Sequence, residues 1–177
     1  MPQSAAAAIA DALAPLRQPH PQVRWLPPDS LHLTVLFLGG TPAARLPELR
    51  AALEDIAAHR HQFEIRTDAG GGRVGQPGRG GLGVAWLNLD RGADETAGLA
   101  TALSERLETG TAWPAKGHAP HLTVARRATY QLVRALRDPG AVAAVTWTCD
   151  RVVLFASDLG HGAPHYESLH EARLIET

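Results

Sequence analysis

One tetrapeptide occurs twice in this chain of 177 residues, and it constrains the fold more than any other feature of the sequence. His-Leu-Thr-Val stands at 32–35 and again at 121–124, a separation of 121 − 32 = 89 residues, about half of the chain. Both copies follow a turn that contains proline, and both open a stretch with the composition of a β-strand. A duplicated unit explains this spacing, and it predicts two related lobes within a single domain over residues 1–177.

Strand geometry determines which side chains each copy presents together. Successive side chains point to opposite faces of a strand, so His32 and Thr34 share one face, as do His121 and Thr123. If a twofold axis relates the copies, two imidazoles and two hydroxyls converge on one cleft. The alternative for either copy alone is an ordinary strand histidine that is hydrogen-bonded within the fold.

Two facing histidines suit a displacement that needs one general base and one general acid. Imidazole has an ordinary pKa near ~6.5, so both protonation states are accessible at neutral pH. Threonine hydroxyls beside them are able to donate hydrogen bonds to the oxygens of a phosphate. This set predicts cleavage of a phosphate ester. Because a strained cyclic phosphodiester needs little more, we expect neither a metal nor another cofactor.

The rest of the chain alternates helical and strand patterns, and several connections between strands are too short for a crossover. This arrangement predicts an α+β fold with antiparallel pairing. Thr41 followed by Pro42 predicts an N-cap at the start of the second helix. We predict helices over 5–17, 42–58, 94–107 and 130–136, and strands over 31–38, 63–67, 82–89, 121–125, 146–155 and 166–175.

Composition excludes several classes of protein. With 45% hydrophobic residues and a net charge of −1, the chain is not an intrinsically disordered protein. No run of ~18 apolar residues indicates a membrane span. The sequence pI near 6.8 argues against a broad basic groove for nucleic acid. The single cysteine, Cys149, cannot form an internal disulfide, so we expect the reducing cytoplasm as the compartment.

The two His-x-Thr-x motifs resemble those of the 2H phosphoesterases, and their flanks are similar to the RNA 2′,3′-cyclic phosphodiesterase branch, also called the 2′-5′ RNA ligase family. The similar stretches are 23–35, 37–39, 120–126 and 153–157. The resemblance implies a bilobal, duplicated α+β fold with two mainly antiparallel sheets flanked by helices. It places the active site in a cleft between the lobes.

The resemblance also implies an activity and a role for each motif residue. The expected reaction is metal-independent hydrolysis of a 2′,3′-cyclic phosphate, on an RNA 3′ end or a small nucleotide, to a 2′-phosphate. His32 would be the proton donor and His121 the proton acceptor, while Thr34, Thr123 and Arg126 would bind the phosphate. We expect a monomer that does not bind membranes, with 2′-5′ ligation as the reverse reaction.

Strand alternation raises a difficulty for Arg126. It follows His121 by five residues, so an unbroken strand would point it to the opposite face. Arg126 reaches the site only if the strand ends or bulges near Ala125. The alternative is an arginine that faces solvent beside Arg127.

Other functions and other sites stay open at the level of sequence. The chain could hydrolyse another cyclic phosphate, such as an ADP-ribose derivative, or bind RNA ends without catalysis.

The glycine-rich stretch 70–83 is better interpreted as a hairpin loop than as a phosphate cradle, although Arg73 and Arg79 within it could contact an RNA backbone. The histidines at 118 and 121, and at 161 and 165, have metal-ligand spacing but no evident acidic or thiolate partner. No aromatic residue is singled out as a platform for a base.

Overall fold

Helices and strands interleave in the computed structural model of the chain, which describes residues 1–74, 83–108, 119–158 and 165–176. The helices in this part of the chain are α1 (Gln3–Ala12), α2 (Ala14–Arg17), α3 (Leu46–Ala57), α4 (Ala93–Arg106) and α5 (Tyr130–Arg137). The strands are β1 (Arg24–Trp25), β2 (Phe63–Arg73), β3 (Val84–Arg91), β4 (His121–Arg126), β5 (Thr146–Cys149), β6 (Arg151–Asp158) and β7 (His165–Arg173).

The described strands form two sheets. The larger has the order β1-β4-β3-β2-β5, and the smaller is the pair β6-β7. The pairs β1–β4, β3–β4, β2–β3 and β6–β7 are all antiparallel. The predicted α+β class with antiparallel pairing is therefore confirmed.

The chain divides into two compact units. The first consists of the described residues of Met1–Thr34, Glu64–Asp94 and Ala119–Trp147. In this unit β3 and β4 bury one face of the sheet completely, and α5 lies on that face, where Val133 meets Gly72. The fully buried positions on the two strands are Ala85, Leu87, Leu122, Val124 and Ala125.

The second unit consists of the described residues of Val35–Phe63, Glu95–His118 and Thr148–Thr177. Its core joins α3, α4 and the β6–β7 hairpin through leucines such as Leu53, Leu103 and Leu154. The duplication into two lobes, and a site placed between them, stay predictions. Among the described helices, none is long and apolar enough to cross a bilayer.

The predicted strand over 31–38 is wrong, because only Leu33 pairs there, in a single antiparallel bridge with Leu122. A short apolar run has no periodicity that distinguishes a strand from an irregular segment packed on a core. The 3-10 turn Pro28–Ser30 precedes this segment.

The predicted cap at Thr41 is also wrong. The Thr41 hydroxyl donates to the carbonyl of Leu38 at 3.1 Å, and after a 3-10 turn α3 begins at Leu46. Pro47 then occupies the first turn of the helix, where its missing N–H costs nothing. The proline that marks the start of the helix is therefore Pro47 and not the predicted Pro42.

Two further predicted elements are each divided in two. The helix over 5–17 breaks at Leu13, because Pro15 interrupts the hydrogen bonding at the start of α2. The strand over 146–155 becomes β5 and β6, which belong to different sheets and are separated by Asp150. The glycine-rich stretch does connect two antiparallel strands, but its first four residues belong to β2. Residues 75–82 lie outside the described part of the chain.

Candidate active site

Strand β4 carries the second motif and separates its polar side chains from its apolar ones. His121 lies opposite Asn88 of β3, and Thr123 lies opposite Trp86. Leu122, between the two, is 0% exposed and points into the core. His121 and Thr123 therefore share the sheet face that is turned away from the core, here called the motif face.

A β-bulge in β4 brings Arg126 to the motif face. On β3 the consecutive residues Trp86 and Ala85 pair with Thr123 and Ala125, so Val124 is an extra residue on β4. Val124 and Ala125 are both buried, and the next residue, Arg126, is exposed. The bulge reverses the alternation of side chains between the two faces of β4. Arg126 therefore lies on the same face as His121 and Thr123, as the sequence analysis required for a role in the site.

The first motif lies along the other edge of β4. Leu33 bridges to Leu122 in antiparallel orientation, which sets His32 beside Thr123 and Thr34 beside His121. Each histidine is next to the threonine of the other copy, and the two histidines are diagonal neighbours, with Cα atoms on the order of 7–8 Å apart. All four predicted residues of the two motifs thus lie on the motif face of the first unit.

Both imidazoles are held by the same hydrogen bond. Nδ1 of His32 donates to the carbonyl of Ser30 at 2.9 Å, and Nδ1 of His121 donates to the carbonyl of Ala119 at 3.0 Å. A carbonyl only accepts hydrogen bonds, so Nδ1 carries the hydrogen in each ring. Nε2 is then the atom that gains or loses a proton on each histidine.

Burial and a nearby charge act on the ring of His32. Burial of the His32 ring lowers its pKa below the ordinary value of 6.5, although the bond to Ser30 opposes the shift. The positive charge of Arg126 contributes to the same lowering. Arg126 is thus close enough to His32 to influence its protonation.

Sequence reasoning did not single out Trp86, which lies against His121. The two ring centroids are 5.1 Å apart with the planes tilted by 43°. The indole Nε1 donates to Asn88 Oδ1 at 3.1 Å, and Asn88 Nδ2 donates to the carbonyl of Ala69 at 2.7 Å. A Cβ on Gly71 would come within 3.2 Å of the indole Nε1, so the glycine leaves room for the ring. Only the strand register reveals this network.

Arg24 was not predicted as a site residue either. It lies on β1 directly opposite Arg126 and is exposed. Two of the four histidines with metal-ligand spacing, His118 and His161, lie outside the described residues, and within the described residues no group of three or more potential metal ligands occurs. Arg79 also lies outside the described part of the chain, whereas Arg73 ends β2.

Comparison with known proteins identifies the family of the chain. A family model described as the 2′-5′ RNA ligase superfamily matches residues 2–161. An RNA 2′,3′-cyclic phosphodiesterase of Thermus thermophilus is 29% identical over 180 residues, which cover 98% of this chain and 86% of the relative.

Solved structures share the fold over nearly the whole chain. The crystal structure of TT0787 of Thermus thermophilus matches with a TM-score of 0.73 and 27% identity, covering 98% of this chain and 93% of that one. E. coli LigT, complexed with 3′-AMP, matches with a TM-score of 0.73, 22% identity and the same coverage, which is evidence for the fold alone. Because the family model spans most of the chain and both motifs, this protein belongs to the 2′-5′ RNA ligase superfamily.

Proposed function

We propose that this chain hydrolyses 2′,3′-cyclic phosphates of RNA ends or nucleotides to 2′-phosphates, by general acid–base catalysis and without a metal. The observation that carries the proposal is the pair of imidazoles on the motif face, each with Nδ1 held by a carbonyl and each beside a threonine. The name of the Thermus thermophilus relative supports the same reaction.

In the proposed reaction, His121 Nε2 takes a proton from water as the water oxygen bonds to phosphorus. The bond between phosphorus and O3′ breaks, and O3′ takes a proton from the protonated Nε2 of His32. The products are a 2′-phosphate and a free 3′-hydroxyl. Thr34, Thr123 and Arg126 would hold the phosphate oxygens, where charge accumulates in the transition state. If a 5′-hydroxyl attacks the phosphorus in place of water, the same two proton transfers break the bond to O3′ and join the two ends in a 2′-5′ bond.

Removal of either imidazole tests this proposal. The substrate is adenosine 2′,3′-cyclic phosphate in the presence of EDTA, and phosphorus NMR identifies the product. We expect 2′-AMP from the wild type, and a loss of roughly 10²–10⁴-fold in kcat for His32→Ala and for His121→Ala, because each removes one proton transfer.

His59→Ala is the matched control. The Nδ1 atom of His59 also donates to a carbonyl, that of Asp55 at 2.7 Å, but its ring lies in the second unit with its side chain 77% exposed. We expect this variant to keep full activity. Full activity in His32→Ala or His121→Ala, or a 3′-phosphate product, would overturn the assigned roles. Binding without turnover would identify an RNA-end binding protein, and a panel that includes a cyclic phosphate of ADP-ribose would reveal a different substrate.

The proposal includes a monomer in the cytoplasm. All five proposed site residues belong to the first unit of one chain, so a second copy is not needed to supply them. Cys149 is a free thiol whose pKa is raised by burial, which favours its uncharged form. A lone thiol of this kind is typical of proteins from a reducing compartment.

A further inference from the structure

Three arginines form one row across four strands beside the two motifs. Arg73 of β2 pairs with Val84 of β3, Val84 pairs with Arg126 of β4, and Arg126 pairs with Arg24 of β1. Directly paired residues of neighbouring strands point to the same face. The arginine row therefore lies on the motif face, with neighbouring strands about 4.8 Å apart.

The side chains of the arginine row are exposed, and among the described residues no carboxylate pairs with them. None of Arg24, Arg73 and Arg126 forms an ion pair with a described carboxylate. Other arginines of the described residues do have such partners, at positions 45, 66, 91, 106, 151 and 173. Like charges directly opposite each other on a sheet are destabilising, so an anion between Arg24 and Arg126 would relieve a repulsion.

The arginine row is adjacent to the catalytic residues. Val84 and Trp86 are two positions apart on β3, so about 7 Å separates the arginine row from the row of Trp86 and Thr123. Asn88 pairs with both His121 and Asp68, so Asp68 lies in the same row as His121. The arginine row thus gives the motif face a positive side, and Asp68 lies at the other end of that face, level with His121.

We propose that Arg24 and Arg73 bind the phosphodiester on the 5′ side of the terminal nucleotide, and that these two side chains make a strand a better substrate than a single nucleotide. This inference rests on the proposed function. A terminal 2′,3′-cyclic phosphate and the next phosphate of the strand belong to the same nucleotide, on opposite sides of its ribose. Arg126, the central member of the arginine row, lies next to the site of the cyclic phosphate. Guanidinium groups bind phosphate oxygens through charge-assisted hydrogen bonds, and an exposed row of them is suited to a strand backbone.

Two substrates that differ by one nucleotide test the inference. Adenosine 2′,3′-cyclic phosphate has no second phosphate, whereas ApA with a terminal 2′,3′-cyclic phosphate has one phosphodiester. We expect kcat/KM to be about tenfold higher for the dinucleotide, mainly through a lower KM, because of one additional charge-assisted contact. Added salt should reduce this advantage, because phosphate contacts release counterions.

Variants of Arg24 and Arg73 test whether the arginine row causes the higher kcat/KM of the dinucleotide. Arg24→Gln and Arg73→Gln should each lower the ratio of the two kcat/KM values several-fold, towards one. Arg134→Gln is the matched control: it removes the same charge from an exposed residue of α5, the helix on the opposite face of the sheet. Circular dichroism of each variant verifies that it is folded.

Equal kcat/KM for both substrates in the wild type would overturn the inference while leaving the proposed function intact. So would an equal loss of the ratio in Arg134→Gln. Failure to hydrolyse either substrate would overturn the proposed function, and this inference with it. Retention of the ratio in both Arg24→Gln and Arg73→Gln would show that the preference arises elsewhere.

Discussion

At the scale of single residues, the surroundings of His32 oppose the role of proton donor that is proposed for it. Burial and Arg126 both lower the pKa of His32. The proposed donor must be protonated before it acts, so a lowered pKa disfavours the active form in the free protein. A bound anionic phosphate acts in the opposite direction, because a nearby negative charge favours the imidazolium.

This balance predicts how His32 titrates in NMR. We expect the pKa of His32 to lie below 6.5 in the free protein. Inorganic phosphate should raise this pKa, and so should Arg126→Gln, because the variant lacks one positive charge near the ring. Catalytic activity should fall as the pH rises through the His32 pKa of the complex. Arg134→Gln should leave the titration unchanged. A His32 pKa above 6.5 in the free protein, or one unaffected by Arg126→Gln, would contradict this account.

Trp86 is the second prediction at this scale. Its ring contacts His121 and is held by Asn88, so Trp86→Leu should free the imidazole from its position. We expect kcat to fall by up to about 100-fold with little change in KM, because misplacement of a reacting group mainly affects the chemical step. Trp86→Phe, which keeps an aromatic face, should recover most of kcat. A rise in KM alone, or no recovery with phenylalanine, would argue against a positioning role.

At the scale of elements, alternation predicted the faces of both motifs but not the exception within β4. Nothing in the sequence Thr-Val-Ala-Arg-Arg marks the bulge at Val124, which depends on pairing with β3. The apolar residues of 31–38 likewise predicted a strand, although only Leu33 finds a pairing partner. Boundaries set by proline were predictable in principle, whereas register was not, because it depends on contacts between segments distant in sequence.

Two glycines give opposite predictions for stability. A Cβ on Gly72 would overlap Val133 Cγ2 and would lie 2.6 Å from the carbonyl oxygen of Val84, whereas one on Gly98 in α4 would meet nothing within 4 Å. We expect Gly72→Ala to lower the free energy of unfolding by about 1–3 kcal/mol, since it overpacks the contact with α5. Gly98→Ala should raise it by about 0.4–1 kcal/mol, because alanine restricts the unfolded chain.

Urea denaturation followed by circular dichroism measures both changes. The two substitutions add the same methyl group, so each serves as the control for the other. Equal stability of Gly72→Ala and the wild type would mean that α5 is able to shift away from the sheet without cost.

At the scale of the whole molecule, the sequence predicted the fold class and the family, and both are confirmed. It did not predict the arginine row, because Arg24, Arg73 and Arg126 are distant in sequence and meet only through the order of the strands. A net charge of −1 concealed the positive side of the motif face, since the 18 acidic residues of the whole chain offset its 17 basic ones. Average charge is therefore a poor guide to the charge of one face of a protein.

The matching carbonyl bonds of the two histidines have a consequence for the direction of the reaction. One turnover of the proposed reaction removes a proton from His32 and adds one to His121. After the reaction His121 is protonated and His32 is neutral, which reverses their protonation states before it. Because Ser30 and Ala119 hold both rings in the same tautomer, neither ring has to rotate before the roles are exchanged. The relative amounts of water and of RNA ends at the site, rather than its shape, would then determine whether the protein hydrolyses the cyclic phosphate or ligates two RNA ends.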